Sequence, residues 1–123
     1  MSNPAEMVKR FLDAWNETDA EARRAAVSGL WAEDGRYVDP LVSVEGQDAL
    51  CEVMGAAQQQ VPGHVFRLLD GVDAHHNVAR FRWEVLPAGG GDPFAIGYDV
   101  AVTEDDGRIG SVVGFLDKAP ASL

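Results

Sequence analysis

The segment GRYVDPLVSVEG, Gly35 to Gly46, sets an Asp-Pro pair between two short strand-like runs, Tyr37-Val38 and Leu41 to Val44. Proline fixes its own φ and pushes the preceding residue toward extended backbone, so Asp39-Pro40 reads as the turn joining those runs. An aspartate there has two readings. It can be the ordinary turn or strand-end residue that often precedes proline, or it can be a carboxylate aimed into whatever the turn covers. The flanking sequence determines what that is.

On the N-terminal side the apolar period is helical. Asn3 is placed to cap a first helix, with Pro4 at its opening position and Glu6 reaching back, and Met7, Val8, Phe11, Leu12 and Trp15 fall on one face. Thr18-Asp19-Ala20-Glu21 has the form of a capping box and predicts a second helix toward Leu30, so the two helices meet at a tight corner. On the C-terminal side, Ala49, Leu50, Val53, Met54 and Ala57 form the stripe of a third helix over Gln47 to Gln60, ended by Val61-Pro62-Gly63.

From His64 the period changes to two. His64 to Val72, Val78 to Leu86, Phe94 to Thr103 and Ile109 to Leu116 read as long strands of an antiparallel meander, separated by turn residues at Asp73 to Asn77, Pro87 to Pro93 and Asp105-Asp106-Gly107. Alternation puts Phe81, Trp83 and Val85 on one face and Arg80, Arg82 and Glu84 on the other. It also groups Gly97, Asp99 and Ala101 against Tyr98, Val100 and Val102. Asp99 stands out, because a charge in the middle of an apolar strand is costly unless it is paired, hydrogen-bonded or neutralised. A structural partner would be Arg80 or Arg82 across the sheet.

Composition narrows the function classes. The 123 residues, 46% of them apolar, suffice for one domain spanning residues 1–123, and no internal repeat or linker divides them. No apolar run approaches the ~20 residues of a membrane span, and Met1-Ser2-Asn3-Pro4 lacks the layout of a signal peptide, so a soluble cytoplasmic protein is expected. Twenty acidic against ten basic residues give a net charge of −10, which disfavours nucleic acid, anionic membranes and anionic substrates. The lone Cys51 offers neither a disulfide nor a thiolate cage. His75 and His76 would project oppositely if extended, so no metal site and no cofactor are expected.

The stretches RFLDAWNETD, GRYVDP, GYDVAVTEDDGRI and VVGFL follow in the order and spacing of the nuclear transport factor 2-like superfamily, and nearly the whole chain resembles its SnoaL-like and ketosteroid isomerase-like branches. The resemblance implies an α+β cone: three N-terminal helices on a strongly curved antiparallel sheet, an apolar pocket inside, and homodimer contacts on the outer sheet face. It also implies that Asp39 is a general base and that Asp99, kept neutral, is a hydrogen-bond donor to a carbonyl oxygen. Where such isomerases carry an oxyanion tyrosine on the first helix, this chain has Phe11. Trp15, Trp31, Tyr37 and Trp83 are the residues that can supply a substitute donor, and with Phe11, Phe66 and Phe81 they are expected to contact substrate. His64, at a strand start, is expected near the pocket mouth.

The implied activity is proton abstraction beside a carbonyl of a small apolar molecule, as in an isomerase or polyketide cyclase. The other reading, from a different class, is a ligand-binding or dimerisation module without turnover. An epoxide hydrolase of the same fold would need an arginine between its aspartates, whereas Arg80 and Arg82 alternate away from Phe81 and Trp83.

Overall fold

The structure, a computed structural model, describes residues 3–119; Met1 and Ser2, on which the reading of a leaderless start partly rests, lie outside that range, as do residues 120–123. The chain runs α1 (Pro4–Asn16), α2 (Ala20–Leu30), β1 (Trp31–Val38), β2 (Ser43–Glu45), α3 (Gln47–Gln60), β3 (His64–Leu68), β4 (Asp73–His75), β5 (Val78–Pro87), β6 (Ala95–Thr103) and β7 (Ile109–Lys118). Asn3 caps α1 by accepting from the amides of Ala5 and Glu6. The cap of α2 is Asp19, which accepts from Ala22 N, and not the Thr18 that the capping-box spacing suggested. Helix α3 has the predicted bounds, with Gly46 at its N-cap in a positive-φ conformation that glycine adopts without penalty.

Seven strands form one curved sheet in the order β2-β1-β7-β6-β5-β3, with β4 also on β5. The fold is the expected α+β arrangement, and every pairing but one is antiparallel. The exception is β1 with β7, which run parallel and close the sheet between early and late parts of the chain. Two other differences have local causes. Strand β1 begins at Trp31, well before Tyr37, although Glu33, Asp34 and Arg36 mask its apolar pattern, and its pairing with β7 shifts register between Trp31 and Arg36. The expected turn at Asp73–Asn77 contains a short strand, β4, paired to the start of β5.

The core lies between the helices and the concave face. Val8, Phe11, Val27, Trp31, Leu50, Met54, Ile109 and Val112 are its fully buried side chains. Phe11 stacks on Trp31 and meets Trp15 and Phe81 edge-on, which fixes α1 across the sheet. The α1–α2 corner is tied to α3 by polar bonds. The Arg23 guanidinium donates to Glu17 O and Gln58 Oε1, while Gln58 donates to Trp15 O and Glu17 O. Cys51 is buried, and desolvation pushes its thiol pKa up.

On the convex face, Arg80 pairs with Asp73 and Arg82 with Asp70 and Asp117. Beside them, on β6 and β7, lies an apolar stripe: Tyr98 stacks on Phe115, and Val100 is in register with Val113. Phe115 and Val113 are exposed there. Among the described residues no helix is long and apolar enough to cross a membrane.

Candidate active site

A cavity of about 120 Å³ lies between α1, α3 and the concave face of the sheet. Four rings form a belt around it: Tyr37 beside Trp15, Trp15 beside Phe66, and Phe66 beside Trp83, with centroid separations of 5.5, 5.3 and 6.5 Å. Phe11 and Leu12 from α1, Ala57, Gln60 and Val61 from α3, and Leu41, Val85, Phe94, Ala95 and Leu116 complete the wall. Two carboxylates enter this wall, Asp39 and Asp99.

Asp39 follows β1 in the turn that leads to β2. Its Oδ1 accepts from Leu41 N and Val42 N at 2.8 and 2.9 Å, the bonds of an Asx turn, while its own amide donates to Val42 O. Its Oδ2 accepts from the Tyr37 hydroxyl at 2.7 Å and faces the cavity side of the turn. Pro40 presets the turn that makes these bonds. The buried Tyr37 hydroxyl is held far above its ordinary pKa, first by desolvation and then by the nearby Asp99 and Asp39 charges, so it remains a donor.

Asp99 projects inward from the centre of β6 and is 3% exposed. The Trp83 indole N–H donates to its Oδ1 at 2.9 Å, so neither Arg80 nor Arg82 is its partner. Its Oδ2 has no protein partner among the described residues and reaches the cavity. Burial pushes the Asp99 carboxyl from 3.8 up to about 7; the Trp83 bond opposes that rise and the charge of Asp39 adds to it. The group therefore changes between carboxylic acid and carboxylate near neutrality.

Two glycines bring these parts together, and neither was singled out by the sequence reading. Gly114 on β7 is the register partner of Asp99, and a Cβ built on it would lie 2.6 Å from Asp99 Oδ1 and 3.5 Å from Asp39 Cβ. The two carboxylates thus approach each other across a missing side chain. Gly97 lies opposite Trp83, and a Cβ there would strike the indole Cζ2 at 2.4 Å, so its absence lets the ring lie flat toward Asp99. A glycine within an otherwise β-prone strand, two residues from an inward aspartate, was the available signal.

Of the residues expected at the site, Asp39, Asp99, Phe11, Trp15, Tyr37, Phe66 and Trp83 line the cavity. Trp31 and Phe81 pack into the core behind it, and the Trp31 indole N–H finds no acceptor among the described residues. His64 lines a neighbouring groove with Asn16 and Arg23, its ring edge-on to Phe94, which does line the cavity. The histidine pair also differs from expectation. His76 has a φ of +51°, and this turn brings the Nδ1 atoms of His75 and His76 to 3.2 Å instead of splaying them apart. Among the described residues no group of three or more His, Cys, Asp or Glu side chains could hold a metal ion.

Three helices on a strongly curved sheet make the cone fold, and residues 8–112 match the family model of the SnoaL-like domain. The chain belongs to that family, within the nuclear transport factor 2-like superfamily. It is 44% identical to a protein from Agrobacterium tumefaciens provisionally named an isomerase of the SnoaL-like family; the match covers 92% of this chain and 96% of that one, with a TM-score of 0.87. A provisionally named polyketide cyclase from Sinorhizobium meliloti is 21% identical over 89% of this chain and 93% of its own, with a TM-score of 0.69. A de novo designed protein with a curved β-sheet reaches 0.73 at 16% identity, covering 95% of this chain and 88% of its own. These last two share the fold. No curated protein matches the chain.

Proposed function

We propose that the chain, read as one domain over residues 1–123, is a cofactor-independent enzyme acting on a small carbonyl compound. Asp39 removes a proton from the carbon beside the carbonyl, and Asp99, in its neutral form, donates a hydrogen bond to the oxygen as negative charge builds there. Asp39 Oδ2 accepts only one bond, from Tyr37, and so keeps a lone pair for the incoming proton. An isomerase returns that proton to a neighbouring carbon; a cyclase lets the enolate carbon attack a second carbonyl of the same molecule.

The observation that carries this reading is the convergence of the two carboxylates across Gly114 inside an otherwise apolar cavity. The name of the Agrobacterium protein supports the isomerase direction. The test is Asp39→Asn, which keeps shape and turn capping but removes the base. Turnover of a single-ring β,γ-unsaturated ketone is expected to fall by about 10²–10⁴-fold with the fold unchanged by circular dichroism. Full activity in the folded variant would remove Asp39 from the chemistry.

A second reading is a ligand-binding module of the same fold, and the observation favouring it is that Asp39 already serves as a turn cap with two backbone amides. Under that reading ligands bind and the unsubstituted protein shows no turnover. We extend the proposal to assembly: the stripe of Tyr98, Val100, Val113 and Phe115, flanked on its β5 side by ion pairs and with Val113 and Phe115 exposed, is apolar surface suited to a homodimer interface. The small-molecule partner and a cytoplasmic location belong to the same proposal.

A further inference from the structure

The charges in the cavity are one-sided. Asp39 and Asp99 enter it, and among the described residues no Lys, Arg or His lines it. The arginines of β5 are on the opposite face of the sheet, each paired to an aspartate. From α1 the cavity receives Phe11, Leu12 and Trp15, none of them charged. The cavity is therefore poor in groups that stabilise a negative ligand.

It is well supplied with groups that stabilise a positive one. A cation gains from the electron-rich faces of aromatic rings, more so where water is excluded. The Tyr37, Trp15, Phe66 and Trp83 belt supplies those rings, and the buried Asp99 offers an oxygen that no protein donor uses. We infer that the cavity takes, as a further ligand class, a small protonated amine whose ring packs in the aromatic belt and whose ammonium donates to Asp99 Oδ2. The volume sets the scale: 120 Å³ is of the order of the ~150 Å³ cavity that holds one benzene ring. The fitting ligand is a one-ring amine, not a polycyclic one.

This claim stands apart from the carbonyl chemistry, because the two ligand types need opposite forms of Asp99. A carbonyl accepts from the protonated acid; an ammonium donates to the carboxylate. The groups facing Asp99 are Trp83 from β5, Gly114 from β7, and Tyr37 and Asp39 from β1 and the turn after it; of these only Asp39 and Tyr37 carry ionisable side chains, and Tyr37 keeps its proton across the neutral range. With the Asp99 carboxyl at about 7, amine affinity rises about tenfold from pH 6 to pH 8 and then levels off.

Calorimetric titration of the intact protein with benzylamine, benzyl alcohol, benzoate and cyclohexenone, at pH 6 and pH 8, tests the inference. Benzylamine at pH 8 is expected to bind at least about tenfold tighter than benzyl alcohol, one charge-assisted contact's worth. Benzoate should not compete, and Asp99→Asn should abolish both the amine preference and its pH dependence. Cyclohexenone affinity should move the other way, falling as pH rises. Equal affinities for benzylamine and benzyl alcohol, or an amine preference unchanged by pH in the unsubstituted protein, would overturn the inference whether or not the variant folds. Loss of the amine arm with the cyclohexenone arm intact would leave the carbonyl reading untouched.

Discussion

Replacing Asp99 by Asn gives the most direct measure of what the buried carboxyl costs the fold. Its folded-state pKa, about 7, lies above the ordinary 3.8, so the folded protein binds this proton more tightly than the unfolded chain does. Its contribution is fully favourable below about pH 4 and is lost as pH rises through 7, the direction opposite to that of a salt-bridged aspartate. Fully ionised, the group costs about 4 kcal/mol; between pH 5 and pH 8 the change is about 2–3 kcal/mol. Asn keeps an oxygen for the Trp83 N–H and cannot ionise. The gain from Asp99→Asn should therefore be about 2–3 kcal/mol larger at pH 8 than at pH 5. Urea unfolding of both proteins at the two pH values isolates this, because titrations elsewhere cancel in the double difference. A double difference below about 0.5 kcal/mol would refute the argument, since Asp99 would then be solvated or paired in a way the cavity does not provide.

Other outcomes follow from the same geometry. Gly114→Ala should force Asp99 off the Trp83 N–H and destabilise the protein by about 1–3 kcal/mol, seen as a melting-temperature drop of roughly 5–15 °C; a drop under 2 °C would mean the carboxylates do not crowd β7. Trp83→Phe removes the one donor that opposes the raised Asp99 pKa, so carboxyl-carbon NMR should show Asp99 titrating higher than in the unsubstituted protein, and an unchanged midpoint would discount the indole bond. Val100→Glu should convert a homodimer to monomer in light scattering at micromolar concentration; a monomer before substitution would end the interface proposal.

The helices were legible because each carries its own local signals, from the Asn3 cap and Pro4 of α1 to the Val61-Pro62-Gly63 stop of α3. Asp99 stood out for the opposite reason, as a charge that local preference does not explain, while Asp39 was marked by its Asp-Pro turn and by the family resemblance. What escaped was the part set by distant partners. Strand β1 carries Glu33, Asp34 and Arg36 on its exposed side, so only pairing with β2 and β7 makes it a long strand. The placement of Trp31 and Phe81 behind the cavity wall depends on how Phe11 packs between them, and sequence alternation gives a face without a depth. Gly114 escaped because its role is the space it leaves for side chains from two other strands.

The single parallel seam, β1 on β7, has a consequence for how the protein comes into being. Asp39 is delivered by the early strand, and Gly114 and Asp99 by the last two strands, so the carboxylates meet only when segments remote in sequence have docked. Such docking carries a large loop-closure cost before any contact repays it, and it belongs to the slow part of assembly. A chain still emerging from the ribosome can form the helical corner from its own local contacts, but the cavity has no floor until the final strand arrives. The same seam makes the carboxylate pair a reporter of completeness: a species lacking β7 loses the partner surface of both aspartates at once.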